Sequence, residues 1–401
     1  MEQSSLLMSA RVHFLVSLLY FEASGDICFL QVPRRPEAQL SLIHVPLDQY
    51  EHYLPSILQL LFPSAAAPDG AVRNRGSWAN RHAFLNVSVT SIECSIVCGK
   101  DVAKDLFGPA IARAISSPGA DGDHCASISA EDFVVISVEG AGMEAGQRVL
   151  ELTSPLALAG ISLFFITTYY SDFILVPAKA RGQVVRALES RGFAFEKSSE
   201  SYVTSSTHHR SASSSSSLSA GTPLTPPPMD MTELQARTFG LLNRHSIVPT
   251  VHSEIRLVQC GGRNTNPETF VADELALQLG LTKCLIYQPK FLSVTLTHDE
   301  SAGLLLEKRL LPNFDLAGSD SVLLGATEDY LIPIVLNLES LPIEASGIVC
   351  GVAGRLVEGP LHPIEMTYLS TATAGTVMVD ECDLDSAMQA LRLGANGEIQ
   401  P

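Results

Sequence analysis

The chain has 401 residues, 46% hydrophobic and 17% charged, with 26 Lys+Arg against 43 Asp+Glu for a formal net charge of −17. That length and apolar content suffice for two or more domains with packed cores. The acid excess, without any sustained basic run, disfavours nucleic acid and anionic membrane surfaces as partners, since both need clustered Lys and Arg.

The N-terminal stretch 12–21 is apolar and flanked by Arg11 and Glu22. It is too short to span a bilayer, and no small-residue cleavage site follows it. Residues 1–37 fit no repeat and read as an N-terminal extension. A strand is expected over 38–46, a helix over 49–62, a hairpin over 84–89 and 92–98, and a helix over 101–115. A strand follows at 132–138 (DFVVISV), then the glycine-rich loop EGAGMEAGQ, a helix over 147–158 and the strand ISLFFITTYY. The uncharged stretch 152–171 is long enough to span a membrane. Pro155, Gly160 and the β-branched residues after them make it a helix end followed by a buried strand. A helix near 184–188 and a last strand at 192–196 (GFAFE) close this half.

Residues 197–231 are rich in Ser and then Pro, with few apolar residues. Such a segment cannot bury enough surface to offset its ordering entropy, so it reads as a disordered linker. Thr222-Pro223 and Thr225-Pro226 fit proline-directed phosphorylation and also fit chance. His208-His209 lack a third ligand in register, which disfavours a metal. Beyond the linker, strands are expected at 255–260, 331–338 and across 364–379, and helices at 270–279, 301–311, 346–357 and from 384. A hairpin is expected over 283–288 and 291–297.

The two halves repeat. ISLFFITTYYSDFILVPAKARGQVVRAL aligns without a gap on IEMTYLSTATAGTVMVDECDLDSAMQAL, with Ile161, Thr168, Val176, Ala187 and Leu188 meeting identical residues Ile364, Thr371, Val379, Ala390 and Leu391. With the strand and helix upstream, each copy is β-α-β-β-α, the ferredoxin-like split-βαβ pattern. The expected fold is α+β: four such units at 38–130, 131–196, 232–325 and 326–401, arranged as two tandem pairs.

No enzyme motif is present: G-x-S-x-G, GxxxxGK[ST] and HExxH are all absent. The glycines of 139–147 miss dinucleotide spacing by one residue, and no acid ends the next strand, so no cofactor is expected. The loop's N–H groups at a helix start would still suit a carboxylate. Asp380, Glu381, Asp383 and Asp385 lack EF-hand spacing and read as a solvated helix N-terminus. The eight cysteines include no CxxC and sit mostly in apolar runs, which suits free thiols in the cytoplasm.

The four-unit layout, the mid-chain linker and the strings TTYYSDFILV, SGIVCGVAGRL and YLSTATAGTVMV resemble the CASTOR-type cytosolic arginine sensors, a family of tandem ACT-domain proteins. The resemblance covers most of the chain from about residue 38, outside the linker, and marks a distant lineage. It implies a non-catalytic protein that holds one free amino acid between units two and four and reports amino-acid supply to a TOR-type pathway. The implied ligand-binding positions are Ser162 and Leu163, the loop residues Pro342, Glu344 and Ala345, and the turn residues Thr371, Ala372 and Gly375. Two positions that are acidic in the family fall on Ala345 and Gly375, and the aromatic wall position falls on Ala372. A guanidinium removed from water needs a carboxylate partner, and its loss costs about 3–5 kcal/mol. Arginine is therefore disfavoured, leaving a smaller or less polar amino acid or an interface without ligand. The resemblance also implies that Tyr169, Tyr170 and Asp172 contact a GATOR-type regulatory complex. Ordinary hairpin chemistry explains the same three residues, and a homodimer stays open. Two other readings remain: a ligand-free interaction scaffold, and the regulatory subunit of an amino-acid biosynthetic enzyme.

Overall fold

A computed structural model describes residues 28–31, 39–63, 77–115, 125–140, 145–195, 227–263, 270–315, 321–358 and 363–392. The stretch 12–21 and the expected linker, with its Thr-Pro and His-His pairs, lie outside the described residues except for 227–231. In chain order the first elements are β1 (Cys28–Gln31), β2 (Leu40–Pro46), α1 (Tyr50–Leu61), β3 (Phe84–Val89), β4 (Glu93–Gly99), α2 (Lys100–Ile115) and β5 (Ser127–Ile128). Next come β6 (Phe133–Gly140), α3 (Ala145–Leu158), β7 (Phe164–Thr167), β8 (Asp172–Pro177), α4 (Arg181–Glu189) and β9 (Ala194–Phe195). The second half holds α5 (Met231–Arg244), β10 (Thr250–Val251), β11 (Leu257–Gly262), α6 (Phe270–Ile286), β12 (Leu292–Thr297), β13 (Gly303–Glu307) and β14 (Leu323–Leu324). It ends with β15 (Leu331–Asn337), α7 (Ile348–Val357), β16 (Met366–Ser370), β17 (Ala374–Asp380) and α8 (Leu384–Arg392).

The strands form one barrel-like sheet rather than four discrete ferredoxin-like units in two tandem pairs. Its neighbours run β5-β2-β4-β3, then β12-β13-β11-β14 in the second half. A second run goes β1-β6-β8-β7, then β16-β17-β15-β10. The two runs are each completed across the halves, by β3 pairing β12 and by β7 pairing β16. Single pairs, Leu40↔Phe133 and Leu257↔Leu331, join one run to the other. Strand β1 falls inside the stretch for which no unit was expected, and it pairs antiparallel with β6 and parallel with β9.

Helices cover the outside of the sheet because each has one apolar stripe. On α1 that stripe is Tyr50, Tyr53, Ile57 and Leu60, at helical spacing. The strands are buried on both faces, one under helices and one toward the sheet opposite. Three large clusters result, beside a small one of Ala157, Leu234 and Cys350. One lies under α1, α2 and α6, and one under α3, α4, α7 and α8. The third fills the interior between the two strand runs, with Phe84, Phe133, Phe173, Leu257, Leu369 and Met378.

The expected elements fall where the structure has them in the first half and in 331–392. Between 231 and 314 the expected strands at 255–260 and 291–297 and the start of the helix at 270 are found as β11, β12 and α6, and three other expectations fail. Helix α5 was missed, although Asp230 accepts from Glu233 N–H at 2.8 Å as an N-cap and Glu233 returns to Met229 N–H. The segment 283–286, expected as a strand, is the last turn of α6, because Leu277, Leu281, Cys284 and Leu285 recur at helix spacing and are buried together. The expected helix at 301–311 is strand β13, all buried, followed by a 3-10 turn over Lys308–Phe314. The apolar run of GLLLE, with its one charge at the last position, marks no helix face, and its placement between β11 and β12 decides the matter.

Candidate functional site

Strands β7 and β16 share one registered pair, Leu369↔Ile166. Beyond it, hydroxyls replace the ladder: Phe165 N–H donates to Ser370 Oγ at 2.9 Å, and Tyr368 N–H donates to Thr167 Oγ1 at 3.2 Å. Where the two edges part, a cleft opens. Leu163 and Phe164 form one side. The loop after β15 (Leu338, Leu341, Pro342, Ile343, Ala345) and the start of α7 (Ile348, Val349) form the other. Tyr368 and the β16–β17 turn complete the lining. A smaller hollow shares Leu163, Ala345, Ile348 and Val349 with it and reaches Gly347 and Cys350.

No charged side chain lines the cleft. Its polar character comes from two other sources. Helix α7 begins at Gly347, which takes φ +85°, a backbone shape that glycine adopts without a Cβ clash. No side chain caps that end, so its first N–H groups and the positive end of the helix dipole stand at the cleft and suit an anion. The second source is Tyr368. Its phenol is buried, its Oη has no hydrogen-bond partner, and burial pushes its pKa well up. An orphaned buried hydroxyl costs about 1–3 kcal/mol unless something meets it.

Of the residues expected to bind ligand, Leu163, Pro342, Ala345, Thr371 and Ala372 line the cleft together. Ser162, Glu344 and Gly375 are outside the lining. Glu344 is exposed, and its charge acts on Lys179 instead. Gly375 does not leave room for a ligand: the Tyr368 phenol fills the space a Cβ would take. Thr371 closes the turn, with its N–H donating to Ala374 O at 2.8 Å. Tyr368, Ser370 and Leu338 were not anticipated. In sequence they are ordinary alternating strand residues, and nothing local distinguishes an orphaned phenol from a satisfied one.

The three expected partner residues make contacts within the chain. Tyr170 Oη donates to Gly262 O at 2.9 Å, and its ring meets that of Tyr169 edge-on at 5.0 Å. The rings lie against Gly261 and Gly325, where a Cβ would collide with them. Tyr169 and Tyr170 remain 39% and 38% exposed. Asp172 is 1% exposed and accepts from Arg148 Nε, so the chain itself takes up this carboxylate rather than offering it at a free surface. Burial raises the Asp172 pKa against the pull of Arg148.

The glycine-rich loop partly lies outside the described residues, at 141–144. The helix start after it already holds a carboxylate, since Ala145 N–H donates to Glu365 Oε1 at 2.5 Å. Asp380 caps the turn after β17 by accepting from Cys382 N–H, and Glu381 pairs with Arg256 at 3.2 Å. Among the described residues no cluster of three His, Cys, Asp or Glu could hold a metal, and no helix is long and apolar enough to cross a membrane.

Residues 128–190 match the ACT domain. This ACT domain runs from β5 into the end of α4 and supplies the Leu163–Phe164 side of the cleft. ACT domains generally bind free amino acids in regulatory roles. No curated protein matches the sequence. Among solved structures, an aspartate kinase from Synechocystis is 11% identical with a TM-score of 0.29, covering 94% of this chain and 57% of that one. The protein Atu0741 from Agrobacterium tumefaciens is 16% identical with a TM-score of 0.23, covering 42% of this chain and 92% of that one. This chain thus spans little more than half of the kinase's length. Both likenesses are too slight to carry a conclusion about this chain.

Proposed function

We propose that the chain is a non-catalytic regulatory protein that binds one free amino acid with an apolar side chain in the β7–β16 cleft. The orphaned Tyr368 hydroxyl, in the wall of a cleft that no charged side chain lines, carries the reading: it is a buried polar group beside the cleft that lacks a partner. The open N-terminus of α7 takes the α-carboxylate. Leu163, Leu341, Ala345 and Ala372 meet the side chain. Arginine does not suit this site, because its guanidinium would enter without a carboxylate. In this reading the chain is a tandem ACT protein akin to the cytosolic arginine sensors, with altered ligand choice, reporting amino-acid supply to a TOR-type pathway in the cytoplasm.

A thermal-shift screen against the twenty free amino acids tests this. Leucine, isoleucine, valine or methionine is expected to stabilise the protein by about 2.7 kcal/mol at a hundredfold excess over Kd, with arginine silent. Tyr368→Phe is expected to keep the fold and lose most of that shift. A flat screen would overturn the reading in favour of a ligand-free scaffold.

A further inference from the structure

One wall of the cleft is held by a residue from the far end of the chain. The β16–β17 turn, residues 371–374, offers two N–H groups that its own hairpin does not use. Ala372 N–H donates to Ser95 Oγ at 3.1 Å, and Thr373 N–H donates to Glu93 Oε1 at 2.6 Å. Both acceptors sit on β4, 277 and 280 residues away in sequence. The Glu93 carboxylate is fully buried, and its other oxygen bonds His44 Nδ1 on β2 at 2.6 Å. A buried carboxylate with both oxygens engaged is held in one geometry, because releasing either bond would leave charge without a partner. On its other side the turn reaches the opposite wall: Thr373 O accepts from Leu338 N–H at 2.7 Å.

We propose that Glu93, oriented by His44 and assisted by Ser95, is a positioning residue for the cleft. It fixes the turn that brings Thr371 and Ala372 to the lining, and through Thr373 it fixes Leu338. The cleft is then shaped by strands of both halves of the chain, and occupancy of the cleft is felt at β2 and β4. The second part of this inference rests on the amino-acid-binding reading; the first does not.

Hydrogen exchange on the full-length protein, without added amino acid, tests the first part. Glu93→Ala is expected to speed exchange at least tenfold in peptides covering 366–374 and 338–350, and to leave β3 and β12 at the wild-type rate. Glu93→Gln, which keeps an acceptor for Thr373 N–H, is expected to restore most of the protection. If Glu93→Ala does not fold, Ser95→Ala removes only the Ala372 bond and should give a smaller rise confined to the same peptides. Wild-type exchange at 366–374, or a rise as large in β3 and β12, would overturn the proposal. Leucine titrated into wild type and Glu93→Ala tests the second part, with a tenfold weaker Kd expected in the variant. Equal affinities would overturn coupling. If wild type binds no amino acid, the ligand reading and the coupling fail together, while the exchange data still decide positioning.

Discussion

Two joints connect the halves of this molecule, and they solve one geometric problem in opposite ways. At the first, β3 and β12 pair along six residues, from Leu292↔Val89 to Thr297↔Phe84. A buried polar ladder fills the seam: Asn86 Nδ2 donates to Ser293 Oγ and Thr295 Oγ1, each at 3.1 Å, and Ser88 Oγ donates to Asn86 Oδ1 at 2.8 Å. At the second, β7 and β16 keep one registered pair, and hydroxyls of Thr167 and Ser370 stand in for the ladder. The first joint is closed along its length; the second parts and leaves the cleft. A shared edge-to-edge plan therefore yields either a seam or a binding space, depending on how far the strands stay in register.

The sharpest way to break that comparison is to attack the closed joint. Asn86→Leu takes the donor from the buried Thr295 hydroxyl and the Oδ1 acceptor from Ser88, while Ser293 keeps its bond to Ser88. It is expected to cost about 2–3 kcal/mol, read as a lower denaturant midpoint, without altering ligand binding at the other joint. At the open joint, Gly375→Ala sets a Cβ against the Tyr368 phenol. The phenol must swing into the cleft, so the expected outcome is a loss of about 1–3 kcal/mol in stability together with weaker amino-acid binding. A mutant that keeps full affinity would show that Tyr368 has no part in the site.

The smallest effect is kinetic. Burial pushes the Cys98 and Cys260 thiols, in the core beneath the closed joint, up to about 12. Cys350 is buried as well, and burial raises its pKa, but it lines the hollow beside the cleft. Thiolate is the reactive form and must be reached by the reagent, so native-state alkylation at pH 8 should label exposed Cys382 first, half-buried Cys125 next, then Cys350, and Cys98 and Cys260 last. Mass spectrometry of the labelled peptides checks the order. A bound amino acid should slow Cys350 alone.

The sequence was legible where periodicity is strong and undisturbed. The polar positions between apolar ones in FLNVSV, and the spacing of Val184 and Leu188, led directly to β3 and α4. It misled where apolar residues run together, as in LTKCLIY and GLLLE, because such runs carry no face signal. Five of the eight expected ligand positions meet at the cleft. Gly375 and Glu344 departed for reasons no alignment of the two halves contains: one is covered by a neighbouring phenol, the other is exposed to solvent.

What the sequence by itself determined was local: strands from their alternation, helices from their stripes, and the repeat of the second half on the first. Those properties are carried by residues a few positions apart, and backbone geometry converts them directly into elements. Only the tertiary structure decided that one joint closes and the other parts, that Tyr368 is left without a partner, and that Glu93 reaches Thr373. Each of these depends on which side chains meet across some 200 to 280 residues of chain. Such meetings are set by the packing of the whole sheet, and no short window of sequence contains them.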